Sequence, residues 1–282
     1  MVACREIRAE DVDGVVDLLA RGFGRGRDYW ARALQRMTSH RVPPGFPRYG
    51  HVLADGASVV GVVLLIFTDV PRNGVSDIRC NISSWYVDPA FRSFAAILAK
   101  RAIRIPNVTY FNVSPAPHTW PILERQGFEP FAAGRIIALP ALSRSRTDAR
   151  VEVVAPGISP GLDLDQSEID LMVDHLGYGC LSLNCEDGGR RFPFVFGLDR
   201  RNAWLPVAHL VYCRSINDLI RLAKPIGRCL LGRGYPLMKF HADGPTPGIP
   251  GRYFGGKPKF RKGGESIWPG DVAYSEQVMF GY

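Results

Sequence analysis

One segment, NISSWYVDPAFRSFAAILAKRAIR at residues 81–104, constrains the fold more than any other part of the chain. Residues 82–87 are predicted to form a strand, which runs through Asp-Pro into a helix at 91–104. The next predicted strand covers residues 108–113. A strand, a helix and a strand in this order form a crossover connection, which joins parallel strands of one sheet. The sequence therefore predicts an α/β or α+β fold whose mixed sheet has at least one parallel pair.

The rest of the first half continues this alternation. In the predicted helix at 11–23, apolar residues recur at helical spacing and form one face. Asp55-Gly56 is a hairpin signal between two apolar strands. The other predicted elements are strands at 2–8, 49–54, 59–67 and 135–139 and helices at 29–37 and 118–126.

The second half repeats the same order of elements. Ser167 to Asp170 resembles a capping box that opens a helix, and the turn EDGG predicts a hairpin. Ser215 begins a second capping box, and Pro225 is expected to kink or end the helix that follows. Strands are predicted at 207–213 and 237–241. This repetition predicts a two-fold repeat; the alternative is an unrelated second domain.

A polar stretch separates the two halves. Residues 142–148 read LSRSRTD, and Pro156 and Pro160 follow shortly afterwards. Such composition is typical of a linker. We therefore predict a first domain at 1–142, a linker at 143–160 and a second domain at 161–282, with a cleft between the domains.

The charge distribution suggests an anionic partner. The formal net charge is +8, and residues 221–262 hold ten Lys and Arg but a single acid, Asp243. A nucleotide-type cofactor, a nucleic acid, an acidic carrier protein or a membrane face would each fit; the alternative is that the charge only keeps the protein soluble. No apolar run approaches the roughly 18 residues of a membrane span, and the six cysteines lack metal-ligand spacing. We expect a cytoplasmic protein without a metal.

Four segments of the first half resemble the GNAT N-acetyltransferase superfamily over residues 3–140. They read REIRAEDVDGVVDLL, ADGASVVGVVLLIF, SSWYVDPAFRSFAAILAKRA and WPILERQGFEPF. The second half resembles a degenerate copy, so the whole chain is similar to tandem GNAT proteins such as the N-myristoyltransferases and the Fem-type transferases. The resemblance implies a GNAT-like fold in both domains and an acyl-CoA donor.

The superfamily binds the donor pyrophosphate at a helix start with the pattern R-x-x-G-x-G/A, where glycines allow close approach to backbone amides. Counted from Arg92, the glycine positions hold Ala95 and Ile97. The alternatives are an acyl carrier protein, which presents phosphopantetheine with a single phosphate, and a helix that binds nothing. The donor-contacting residues implied by the resemblance are Tyr86, Val87, Arg92, Ser93, Phe94, Ala95 and Ala96.

Both catalytic residues that the superfamily often uses are missing. The strand at 80–86 has no carboxylate, and the usual tyrosine position holds Leu123. His118 is the candidate replacement because histidine titrates near neutral pH. Ser84, with Ser83, and Asn112 are candidates to orient the substrate. Each of these residues can equally have a purely structural role.

The second half offers another candidate set. His209 lies on a predicted strand, while His241 and Asp243 alternate on KFHADG and so share one face. If the two strands are neighbours, the two histidines could meet and form an acid–base or binding site. The glycine-rich stretch at 253–264 is predicted to be an exposed basic loop.

The expected function is transfer of an acyl group from acyl-CoA, or from an acyl carrier protein, to the amine of a small molecule or peptide. Direct attack on the thioester is expected, because Cys80 has no histidine partner placed by the sequence. One alternative is a non-catalytic binding protein for an acidic partner. Another is an aminoacyl-tRNA-dependent transferase; outside this alternative, nucleic acid is not expected as a partner. An exposed sheet edge would also allow a homodimer to form.

Overall fold

The computed structural model describes residues 1–71, 75–145, 147–155, 164–200, 205–264 and 267–281. Its strands are β1 Val2–Glu6, β2 Gly50–Asp55, β3 Ser58–Asp69, β4 Ile78–Val87, β5 Thr109–Asn112, β6 Glu129–Ala138, β7 Arg150–Val153, β8 Leu181–Asp187, β9 Arg190–Asp199, β10 Val207–Cys213, β11 Leu237–Ala242 and β12 Gly251–Lys262. Its α-helices are α1 Val12–Phe23, α2 Arg27–Ser39, α3 Ala95–Ala102, α4 Trp120–Arg125, α5 Gln166–Gly177, α6 Ile216–Leu231 and α7 Glu276–Met279.

The described strands form one mixed sheet in the order β1-β2-β3-β4-β5-β12-β6-β11-β10-β9-β8-β7. The pairs β4–β5 and β10–β11 are parallel and the other pairs are antiparallel. The predicted mixed α/β sheet is therefore confirmed.

The order of the strands is symmetric about the centre of the sheet. Strand β12 pairs with β5 and with β6, and β6 in turn pairs with β11. The last strand of each half thus lies against strands of the other half. The two halves are interlocked through the centre of one sheet.

Both predicted hairpins are confirmed. Gly56 turns the chain between β2 and β3 with φ of 59°. Gly188 and Gly189 join β8 to β9 with φ of 58° and 74°, and two successive residues at positive φ are what a type I′ turn requires. The Ser215 cap is also confirmed, since its Oγ accepts a hydrogen bond from the Asp218 amide at 3.2 Å.

Three local predictions were wrong. The basic stretch at 253–264 is mostly strand β12, because a register shift between Gly255 and Lys259 lets this Gly- and Pro-containing segment pair on both sides. Helix α5 begins after Asp165 without a side-chain cap, so the capping box at Ser167 does not form. Helix α6 does not end at Pro225, which was one of the two predicted outcomes, because its buried apolar face outweighs the roughly 3 kcal/mol cost of an internal proline. Of the predicted linker, Pro156 and Pro160 lie outside the described residues.

The segment at 267–281 crosses one face of the sheet, together with α1, α2 and α5, while α3 and α6 cover the other face. The Val272 amide donates to the Val211 carbonyl at 2.9 Å, and Phe280 packs against Trp30. Asp271 forms a 2.8 Å ion pair with Arg79, and both side chains are buried. The segment therefore ties the second half of the chain to the first.

Candidate active site

Strands β4 and β5 separate after a short parallel pairing. Their register pairs Arg79, Cys80 and Asn81 with Thr109, Tyr110 and Phe111. Beyond Asn81, β4 continues to Val87 along β3 without a partner in β5. The facing edge of β4 therefore offers backbone N–H and C=O groups to an extended, amide-containing ligand.

A bulge marks the point of separation. Val62 pairs with Tyr86 and Leu64 pairs with Ser83, so β4 has one extra residue here. Ser84 takes φ of 49°, a left-handed conformation that a non-glycine residue rarely adopts outside functional or turn positions. The Ser83 and Ser84 hydroxyls lie 2.9 Å apart and hydrogen bond to each other. The bulge therefore brings two hydroxyl groups together at the start of the opening.

Glu276 brings a carboxylate to the same place. Its side chain accepts hydrogen bonds from the Ser83 and Ser114 hydroxyls, one from each side of the opening. Its amide donates to Asn81 Oδ1 at 2.7 Å. Burial raises the pKa of Glu276, while the two hydroxyls and nearby Lys259 oppose the rise. The carboxylate that the strand at 80–86 lacks is thus contributed by the 267–281 segment.

Lys259 is buried beside this carboxylate. Its side chain is 4% exposed, and Nζ donates to the Val113 carbonyl. Burial lowers the pKa of Lys259 to about 7, although Glu276 favours the charged form. A lysine of this kind can change its protonation state near neutral pH.

His209 and His241 lie on the paired strands β10 and β11, as the sequence prediction required for them to meet. His209 is opposite Lys239 in the register, and its Nε2 lies 3.7 Å from Asp199 Oδ2. Both histidines are buried. Asp243 follows β11 at an exposed position, where its carboxylate accepts a hydrogen bond from the Ala133 amide. The partner carboxylate of His209 is therefore Asp199, which sequence reasoning missed.

The predicted donor turn is a 3-10 helix, Pro89–Phe94, followed directly by α3. Three of its amides are already used, because Ala90 donates to the Asp88 carboxylate, Phe91 to the Asp88 carbonyl and Ala95 to the Arg92 carbonyl. Arg92, Ser93 and Ala96 are exposed, and the Ile97 side chain stands 51% exposed in the first turn of α3. This turn therefore offers fewer free amides than a glycine-rich one.

The remaining sequence candidates are dispersed around the opening. His118 is exposed in the 3-10 helix Pro117–Thr119, and the described contacts of Glu276 do not include it. Asn112 Oδ1 accepts a hydrogen bond from the Ser114 amide at 3.1 Å, which shapes the turn after β5. Cys80 is fully buried, and burial raises the pKa of its thiol well above the ordinary value, so it is a poor nucleophile.

A cavity of about 620 Å³ lies between the two halves near His40 and Asp174. Thr68 lines it and pairs with Arg79, which is four residues before Ser83. The cavity is therefore roughly 13 Å along β4 from the serine pair, at about 3.3 Å per residue.

The described residues contain no group of three or more His, Cys, Asp or Glu side chains placed to hold a metal ion. Within the same ranges, no helix combines the length and apolar character needed to cross a membrane.

Comparison with known proteins shows similarity in structure. No family model and no curated protein matches the sequence. A GCN5-related N-acetyltransferase from Anabaena variabilis superposes with a TM-score of 0.61 at 10% identity, covering 93% of this chain and 72% of that one. One from Kribbella flavida gives 0.54 at 12% identity, with 93% and 70% covered. A Pyrococcus horikoshii protein classed provisionally as an acetyltransferase gives 0.56 at 12% identity, with 97% and 93% covered. The chain therefore has the fold of the GCN5-related N-acetyltransferases.

Proposed function

We propose that the protein is an acyltransferase that moves an acyl group from acyl-CoA to an amine acceptor by direct attack on the thioester. The observation that carries the proposal is the position of Glu276, whose carboxylate lies between Ser83 of β4 and Ser114 after β5. A general base is required where the two strands separate, and no carboxylate of β4 is available there. The N-acetyltransferases of the same fold support this reaction class.

The residues of β4 and of the turn that follows it fit an acyl-CoA donor in part. The unpaired edge of β4 over residues 82–87 suits an extended chain of amides, with Tyr86 and Val87 at its far end. Arg92 and Ser93 would hold a phosphate group at this turn, with Phe94, Ala95 and Ala96 completing it. Because several amides are already satisfied, a single phosphate suits this turn better than a pyrophosphate, so an acyl carrier protein is the alternative donor.

The protein's part in the reaction is proton transfer and orientation. The donor supplies an acyl group activated as a thioester. Glu276 takes the proton of the attacking amine as its nitrogen forms a bond to the thioester carbon. The carbon–sulfur bond then breaks, and the thiolate leaves with a proton from water. Ser83 and Ser84 hold Glu276 and the acyl group in place, and Asn112 supports the loop that carries Ser114.

A thermal-shift titration tests donor binding. Wild-type protein and Arg92→Glu are each titrated with coenzyme A, acetyl-CoA, a long-chain acyl-CoA and an acylated carrier protein, because a bound ligand raises the melting temperature. We expect a shift that Arg92→Glu abolishes, and the ligand with the largest shift names the donor class. If none of the four ligands shifts wild type, the acyltransferase proposal fails and a non-catalytic binding protein takes its place.

The other expectations stay predictions. A two-domain division at 1–142 and 161–282, a cytoplasmic location and a homodimer are each compatible with the fold. The tRNA-dependent alternative loses part of its basis, because the basic stretch meant to contact RNA is largely a central strand, with Lys259 buried within it.

A further inference from the structure

Four basic side chains from three adjacent strands lie together beside Glu276; we call Arg135, Lys239, His241 and Lys259 the basic cluster. Arg135 on β6 is directly opposite His241 on β11, and Lys239 shares the face of His241 because it lies two residues away. Burial lowers the pKa of His241, and the charges of Lys259 and Lys239 lower it further, which places both lysines close to the histidine.

Arg135 has a buried nitrogen without a partner. Its Nε is inaccessible to solvent and makes no hydrogen bond among the described residues, while the side chain as a whole is only half-buried. An unpaired buried donor costs about 1–3 kcal/mol, and more when the group is charged. A guanidinium is also the side chain best suited to carboxylate and phosphate. This is the arrangement expected of a group that is completed by an anionic ligand.

The basic cluster is continuous with the proposed catalytic carboxylate. Gln277, the residue after Glu276, hydrogen bonds to His241. Lys259 Nζ donates to the carbonyl of Val113, and Ser114, the next residue, donates to Glu276. Lys259 and Gln277 therefore connect the basic cluster to the proposed catalytic carboxylate.

We propose that the amine acceptor carries a negatively charged group, a carboxylate or a phosphate, and that Arg135 and the basic cluster bind this group while Glu276 takes the proton from its amine. The proposal rests on the proposed acyl transfer and adds the chemical class of the acceptor. It also gives a role to the excess positive charge of the chain.

Matched pairs of acceptors test the proposal. Acetyl transfer from the best donor is measured with glycine against glycinamide and with O-phosphoethanolamine against ethanolamine. We expect KM to be at least 10-fold lower for the anionic member of one pair, and the preferred pair distinguishes carboxylate from phosphate. Arg135→Met should raise KM for that anionic acceptor about 10- to 100-fold, since a charge-assisted contact is lost. The ratio of the KM for the neutral acceptor to the KM for the anionic one should therefore approach 1 in this variant.

Two further variants serve as controls. Arg135→Lys retains the charge and should keep part of the preference. Arg252→Met removes an exposed arginine of β12 that packs over Phe254 and should leave the preference unchanged. Equal KM values within both pairs in wild type, or a preference that survives Arg135→Met, would overturn the proposal.

A binding measurement separates this proposal from the acyltransferase proposal. Inorganic phosphate and acetate are titrated by calorimetry into wild type and Arg135→Met without any donor. If binding occurs and depends on Arg135 while no amine is acylated, the anion site stands and the acyltransferase proposal fails. If amines are acylated but neither anion binding nor acceptor preference depends on Arg135, the acyltransferase proposal stands and the anion site fails.

Discussion

At the scale of single residues, Glu276 is the side chain on which the proposed chemistry depends. Glu276→Gln keeps the shape of the side chain but removes the base, so kcat should fall by about 10²- to 10⁴-fold. The donor Kd should stay unchanged, because the donor turn at 89–97 is separate. Glu124→Gln, at an exposed position on α4, is the matched control and should retain full activity. A loss of less than 10-fold in Glu276→Gln would remove Glu276 from the reaction.

The same residue predicts a pH dependence. A base works only when ionised, and burial raises the pKa of Glu276. The rate kcat/KM should therefore fall as the pH drops through a value above the roughly 4.3 of a free glutamate. Lys259→Met should move this limb to still higher pH, because the lysine charge lowers the pKa of Glu276. If kcat/KM of wild type instead falls at the pKa of a free glutamate, Glu276 is not the general base.

Lys259 makes the stability of the fold depend on pH. Its pKa is about 7 in the folded protein and about 10.4 in an unfolded chain. Above pH 7 the folded protein has released a proton that the unfolded chain still binds, so the free energy of unfolding rises with pH in this window. Between pH 7 and pH 8.5, wild type should gain about 1–2 kcal/mol relative to Lys259→Met in urea denaturation. Parallel pH curves for the two proteins would contradict this.

The sequence could predict only part of the candidate site at this scale. Ser84 and Asn112 were reached from strand positions that the crossover pattern defines. Glu276 was missed because SEQVMF has no spacing or composition that marks a functional carboxylate, and it reaches β4 only through contacts across 195 residues of sequence. The one available signal was indirect: a strand at 80–86 without the expected carboxylate implies a carboxylate from elsewhere.

At the scale of elements, the packing of α6 against residues 140–142 depends on a glycine. A Cβ added to Gly227 would lie 2.1 Å from the Ala141 nitrogen, which is far inside contact distance. Gly227→Ala should therefore destabilise the protein by about 2 kcal/mol or more, although alanine favours a helix by nearly 1 kcal/mol. Gly177→Ala, where a Cβ meets nothing within 4 Å, should be neutral or stabilising. Thermal unfolding of the two variants measures the difference.

Elements with strong periodicity or turn chemistry were predictable, as the Asp55-Gly56 and EDGG hairpins show. Strand β12 was not, because Gly255, Gly256 and Pro258 are residues that local propensity assigns to loops. Pairing with β5 and β6 outweighs that propensity, and a bulge absorbs the irregular residues. The continuation of α6 through Pro225 has the same explanation.

At the scale of the whole molecule, each half places its last strand, β6 or β12, against strands of the other half. This exchange makes the halves interdependent. Residues 1–142 produced alone would lack β12 between β5 and β6, and residues 161–282 would lack β6 between β12 and β11. We expect each fragment to be insoluble or unfolded alone, and the two to form a soluble complex when produced together. Circular dichroism and gel filtration measure this outcome. A folded, monomeric 1–142 fragment would show that the exchange is not needed for stability.

The overall architecture was predictable because two crossover patterns and two hairpin signals recur in the same order. The exchange of β6 and β12 between the halves was not predictable. In the sequence of each half taken alone, the last strand is a possible neighbour of the other strands of that half. Only tertiary packing decides between the two arrangements, and the alternation of apolar residues is the same in both.

The exchange also bears on how the protein is made. Strands β5 and β6 are synthesised more than a hundred residues before the strand that separates them. During that interval the edges of β5 and β6 that β12 later covers lack their native partner, and such edges promote aggregation. Strands this far apart in sequence also pair slowly, because the entropy cost of closing the intervening loop must be met before the contacts stabilise the pair. Folding of this protein should therefore depend on chaperones that shield the first half until the ribosome has released β12.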